Sequence, residues 1–164
     1  MKFVRLILIS LLFYTSAAYA SAPEVLWNYE SPGGHVDASP ALGVLKPGGE
    51  LNIVVGTTAG VIVALTEKGS EVWRSEVDGP ACISPSIGDM DGDGAPEVLA
   101  MTQAGSLYCL EGATGQKRWQ FALPGRINWG ETALTLMDLA GDGGLHVVTG
   151  DKEGNVVCVN ASGE

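Results

Sequence analysis

Positive charge is scarce in this chain. Nine lysines and arginines stand against nineteen aspartates and glutamates, for a formal net charge of −10. A surface of that sign repels nucleic acid and anionic membrane and favours cations. Arg126 is the only basic side chain between Arg118 and Lys152, so no basic patch offsets the balance. Histidine is limited to His35 and His146. His35 lies in a Pro32-Gly33-Gly34 turn and reads as solvated, and neither residue supports a Ser-His-Asp arrangement. Nothing argues for a catalytic pair of carboxylates either, and the chain is read as a non-enzyme.

Cysteine is sparse too: Cys82, Cys109 and Cys158. The odd count leaves at least one thiol unpaired within a monomer. Cys109 and Cys158 fall at the same point of successive repeats, where the first repeat has Ala64. They are expected as small buried hydrophobes, because packed sheets lie about 10 Å apart while a disulfide needs Cα atoms within about 7 Å. Long apolar runs are missing as well. The one at the start, Leu6 to Tyr14, is too short for a membrane span of about 20 residues. With Lys2 and Arg5 before it and Ala18-Tyr19-Ala20 after it, residues 1–20 have the layout of a secretory signal peptide. No cysteine stands at the cleavage point, which argues against a lipid anchor. Removing Lys2 and Arg5 with the leader takes the charge from −10 to −12. Beyond the leader no stretch of ten or more residues shows a helical period.

What is present is repetition. Trp27, Trp73 and Trp119 are spaced 46 residues apart, a period typical of repeat architectures. Ser39-Pro40-Ala41-Leu42 matches Ser84-Pro85-Ser86-Ile87, with Thr132 to Leu136 in the same place in a third copy. Gly60, Gly105 and Gly154 align, as do Gly69, Gly115 and Gly163. Each copy reads as four short strands; in the second they are Ile83–Gly88, Glu97–Thr102, Ser106–Glu111 and Lys117–Leu123, separated by glycine turns. Apolar runs such as Ile53-Val54-Val55 fit strands covered on both faces. A unit of this length with four antiparallel strands is a propeller blade. The fold class is therefore all-β, a β-propeller of three tandem four-stranded blades over 21–164, with blades at about 24–70, 71–116 and 117–164. The tryptophans are expected between blades, as packing residues.

The sharpest chemical signal is Asp89-Met90-Asp91-Gly92-Asp93-Gly94-Ala95-Pro96-Glu97. Carboxylates at alternate positions of a tight loop converge on one point, and Gly92 and Gly94 permit the backbone angles such a loop needs. Ca²⁺ takes six to eight oxygen ligands, so a structural Ca²⁺ is expected at Asp89, Asp91 and Asp93. An EF-hand is excluded because loop position 12 is Ala100 rather than a bidentate Glu, and because strands flank the loop. The third copy, Asp138-Leu139-Ala140-Gly141-Asp142 through His146, keeps positions 1 and 5 only and is expected weak or empty, since imidazole suits Ca²⁺ poorly. The first copy, Val44 to Gly49, has lost every carboxylate and reads as a turn.

Gly105 to Trp119 resembles the repeat of the pyrroloquinoline-quinone-like β-propellers, and Asp89 to Glu97 resembles the calcium loop of FG-GAP (integrin-type) repeats. The second resemblance implies that the Ala95 carbonyl and the Glu97 carboxylate complete the metal shell. The first raises a quinone-dependent dehydrogenase fragment as an alternative, but the adjacent cysteine pair of those enzymes is missing. A propeller subunit assisting outer-membrane protein assembly is a further alternative. The leading expectation is a secreted or periplasmic, non-catalytic, calcium-stabilised scaffold or binding module. Its ligand would be protein or carbohydrate; neither nucleic acid nor membrane insertion after leader removal is expected. Glu24 to Glu30 reads as a fourth strand with no blade before it, and the third copy stops short of its own. Three blades fall below the usual four to eight or so. Further blades beyond residue 164, or a head-to-tail homodimer, are therefore expected to complete the ring.

Cleavage after Ala20 is directly measurable. Mass spectrometry of the exported protein should place Ser21 at the amino terminus; intact Met1 on membrane-held protein would overturn the leader assignment.

Overall fold

Short runs of β-branched and aliphatic residues, broken by glycine at fixed intervals, pair most readily with their neighbours in sequence. The computed structural model describes residues 23–127 and 132–164, and the proposed leader lies outside them. Strands β1 (Ala41–Val44), β2 (Leu51–Gly56), β3 (Val61–Thr66) and β4 (Glu71–Glu76) form one antiparallel sheet in sequence order. A second sheet has β5 (Ser86–Gly88), β6 (Glu97–Met101), β7 (Ser106–Glu111) and β8 (Lys117–Ala122). A third has β9 (Thr135–Met137), β10 (His146–Gly150) and β11 (Val156–Val159). The sheets are the blades of a β-propeller.

The same hairpin recurs in each blade. Thr57, Thr102 and Asp151 each open the turn between the second and third strands. Their side-chain oxygens accept from the amides of Val61, Ser106 and Asn155 at 3.1, 3.3 and 2.8 Å. Gly60, Gly105 and Gly154 close it at φ of +80°, +91° and +90°, where only glycine is unstrained.

Burial follows the expectation of strands covered on both faces. All of β6 is buried. Val98, Ala100, Tyr108 and Leu110 face the first blade and meet Val54, Ile62, Ala64 and Trp73 there. Leu99, Met101, Leu107 and Cys109 face the third blade and meet Val147 and Val159. Odd and even positions of one strand thus serve two different cores.

The tryptophans sit between blades, as expected, in a geometry that spacing alone does not reveal. Each indole reaches forward to the turn between the third and fourth strand positions of the next blade. There its Nε1–H donates to a backbone carbonyl: Trp27 to Glu67 at 3.0 Å, Trp73 to Gly112 at 2.7 Å, Trp119 to Ala161 at 2.7 Å. The ring face lies on a glycine of that turn. A Cβ on Gly69 or Gly115 would stand 2.5 Å from the indole of Trp27 or Trp73, and one on Gly163 would stand 3.0 Å from that of Trp119. Trp73 is consequently 7% exposed.

The third sheet has three strands, as expected of a copy that stops short of its tryptophan strand, and its last turn, Asn160 to Glu164, has the closing hydrogen bonds that precede β4 and β8. Three expectations need correction. Glu24–Glu30 is not a strand; no neighbouring strand offers it a ladder among the described residues, although Trp27 still docks. Cys158 is exposed, because its register equivalents Ala64 and Cys109 are covered by the tryptophan strand paired beside them and no strand pairs outside β11 among the described residues. The hydrogen-bonded sheets are also offset from the repeats 24–70, 71–116 and 117–164. The tryptophan strand at the head of the second and third repeats is the last strand of the preceding sheet. Cys82 and Cys109 are buried free thiols, and burial pushes Cys109 up to about 12.

Two glycines separate backbone strain from collision. Gly48 (φ +68°) has open space around a new Cβ, whereas Gly115 (φ +72°) has Trp73 against it. Gly48→Ala should cost about 1 kcal/mol for left-handed backbone alone. Gly115→Ala should cost roughly 2–4 kcal/mol, as overpacking is added. Denaturant titration checks the pair; equal losses would refute the docking geometry.

Candidate functional site

The acidic loop joins β5 to β6 and is shaped from its first residue. Asp89 Oδ1 accepts from the amides of Gly92 and Asp93 at 2.8 and 3.1 Å, and Oδ2 accepts from Gly94 at 2.8 Å. Gly92 and Gly94 adopt φ of +74° and +88°, which lets successive N–H groups turn inward toward one carboxylate. The degenerate third copy folds the same way. Asp138 accepts from Gly141, Asp142 and Gly143 at 2.6, 3.3 and 2.9 Å. Those three amides hold the Asp138 carboxyl below its ordinary range. Loop shape therefore does not depend on the carboxylates at positions 3 and 9, whereas position 5 is kept in both copies, with Asp142 accepting from the Gly144 amide at 3.0 Å.

Of the sequence-derived ligands, the structure brings together Asp89, Asp91 and Glu97, with one oxygen of each inside a 4.8 Å cluster. Asp93 is not part of it; its Oδ1 accepts from the Ala95 amide at 2.7 Å. In the third copy, His146 occupies the place of Glu97, and its Nδ1 is buried without a hydrogen-bond partner.

The residue that sequence reading missed is Arg118. Its guanidinium donates to Asp91 Oδ2 at 2.6 Å and to Glu97 Oε1, spanning both carboxylates. Glu97 Oε2 accepts from the Met90 amide at 2.8 Å, so both oxygens of this 2%-exposed side chain are engaged. The two acids shift in opposite directions although one cation favours the charged form of both. Hydrogen bonding to Arg118 holds the partly exposed Asp91 below its ordinary range. Burial pushes Glu97 above its own, because its desolvation outweighs what Met90 and Arg118 return. Arg118 itself is raised, first by its bond to Asp91. The available signal was register. Cys109 pairs with Trp119 and Leu110 with Lys117, so Arg118 is the extra residue of a β-bulge, a feature that re-aims side chains.

No helix among the described residues is long and apolar enough to cross a membrane. The sequence model of the lambda-carrageenase β-propeller domain matches residues 52–164. A lambda-carrageenase from a Pseudoalteromonas species is 26% identical over 117 residues, covering 71% of this chain and 12% of that protein. The chain thus spans about 12% of the length of the curated relatives it matches. Among solved structures, BamB from Moraxella catarrhalis superposes with a TM-score of 0.58 at 18% identity, covering 79% of this chain and 35% of that one. The V. cholerae biofilm matrix protein Bap1 superposes with a TM-score of 0.51 at 22% identity, covering 68% and 20%. At these identities the structures speak for the fold alone.

The Asp91–Arg118 bond sets a pH dependence. A carboxyl held below its ordinary 3.8 stabilises the fold above that pH, and the contribution vanishes as pH falls through the lower folded-state value. In chelator, Asp91→Asn should be less stable than wild type by about 0.5–1 kcal/mol at neutral pH, as befits a partly exposed pair. The gap should close in acid. A gap that persists at pH 2 would refute the assignment.

Proposed function

This chain belongs to the lambda-carrageenase β-propeller domain family, and from that premise we propose that it is a non-catalytic propeller module of an exported carbohydrate-active protein. Its part would be to hold a polysaccharide or a partner domain rather than to cleave a bond. One observation carries this reading: the carboxylates that converge at the β5–β6 loop are already engaged. Retaining glycosidases place two carboxyl groups about 5–5.5 Å apart, and inverting enzymes leave a gap for water. Asp91 and Glu97 are close enough, but Arg118 bridges them and Glu97 is buried. The buried Glu97 offers a sugar ring no access. All three repeat tryptophans are likewise taken up by blade docking, which favours rigidity over ligand stacking.

The donor chemistry of Asp89, Asp91 and Glu97 suits a hard cation, and the FG-GAP resemblance supports the same choice. Calcium would be held by these three, with Asp93 and the Ala95 carbonyl as further oxygen donors. When bound, it supplies positive charge that fixes the β5–β6 loop against the blade. The role is structural. A propeller subunit assisting outer-membrane protein assembly is the alternative; recovery of a membrane complex with the chain would favour it.

Incubating the mature chain with lambda-carrageenan tests the main reading. No reducing ends should appear with Ca²⁺ or with chelator, while the polysaccharide should retard the chain in a native affinity gel. Release of reducing ends would refute the non-catalytic assignment, and unchanged mobility would refute carbohydrate binding. Melting should rise with Ca²⁺, by about 2.7 kcal/mol at a hundredfold excess over Kd, and Asp91→Ala should abolish the rise.

A further inference from the structure

We infer that Arg118 is the built-in cation of the β5–β6 loop, and that it and a divalent metal are mutually exclusive closures of the same carboxylates. The inference rests on the calcium reading above and sharpens it. A metal drawing on Asp91 and Glu97 competes with the guanidinium for the same two carboxylates, whose other oxygens accept from the Asp93 and Met90 amides. Two cations cannot share those carboxylates at contact distance without strong repulsion.

The repeats supply the control. In the first blade, Ala64 pairs with Trp73 and Leu65 with Glu71, so Val72 is the bulge residue in the position of Arg118. The loop opposite Val72 runs Leu45-Lys46-Pro47-Gly48-Gly49-Glu50, where one lysine balances a single carboxylate. Where the loop holds a cluster of carboxylates the bulge carries a guanidinium; where the loop is neutral the bulge carries an aliphatic side chain. Val72 does not fill the space. A cleft of about 410 Å³ opens there, lined by Leu45, Lys46, Glu50, Asn52, Val72 and Gly112. The second-blade side chain is therefore matched to the charge of its loop rather than demanded by the bulge.

The arrangement also explains why Glu97 tolerates burial. Removing one partner of a buried charge pair leaves the other uncompensated, so Glu97 needs a cation whether or not metal is supplied. A planar fork meets two carboxylates at once, which an ammonium does poorly.

Calorimetric titration with CaCl₂ and melting in chelator, on the mature wild-type chain and Arg118→Gln, test the exchange. Wild type should stay folded in chelator. Arg118→Gln should melt lower in chelator, regain wild-type melting in Ca²⁺, and bind Ca²⁺ at least about tenfold more tightly, the scale of one charge-assisted hydrogen bond. Arg118→Lys should fall between them, which keeps the comparison available if the glutamine variant is poorly folded. Equal Ca²⁺ affinity in wild type and both variants would overturn the exclusion while leaving the calcium reading intact. Tight binding by Arg118→Gln alone would support the exclusion and remove calcium from the wild-type protein. Binding by none of the three would overturn both.

Discussion

An indole ring lying on a glycine of the next blade is the contact on which this structure depends. A four-stranded blade has two apolar faces and cannot cover either by itself. Trp27 ahead of the first sheet, and Trp73 and Trp119 in the last strands of the first two, each reach across the gap and place their single donor on a carbonyl of the facing turn. Only glycine allows this, twice over: the turn needs positive φ, and any Cβ would meet the ring. Ring, carbonyl and glycine fix distance, orientation and register between blades together. That is why the 46-residue spacing is so regular.

Around this frame the loops have been free to diverge. The loops between first and second strands range from a neutral turn with Lys46 to an acidic loop closed by Arg118, and to a third in which histidine replaces glutamate. Asp89 and Asp138 organise their loops identically with the loop amides, so loop shape survives replacement of Asp91 and Glu97 by Ala140 and His146. What changes is charge, and the chain answers charge from an adjacent strand. Family membership fits a module whose frame is constant and whose loops carry the variable chemistry, in a protein of which this chain is similar to a small part.

The repeat, the strand order and strands covered on both faces were legible in the sequence, because continuous apolar runs and glycine placement are local properties. Some strand ends were not. Ile83–Gly88 shortens to Ser86–Gly88 because Pro85 has no amide for the ladder. Thr132 uses its hydroxyl to bond the Gly150 carbonyl instead of joining β9. Cys158 was read as buried from its register, but burial there belongs to a neighbouring strand and not to the residue.

The division at the acidic loop has the same cause. Sequence by itself determined that Asp89 to Glu97 would be a glycine-turned loop rich in oxygen donors, since that follows from residues within nine positions of each other. Only the tertiary structure decided which carboxylates converge, that Glu97 is buried, and that Arg118 stands between it and Asp91. Those outcomes depend on a one-residue bulge more than twenty positions away. A bulge is set by how two strands share their register, and no local pattern in either strand encodes it.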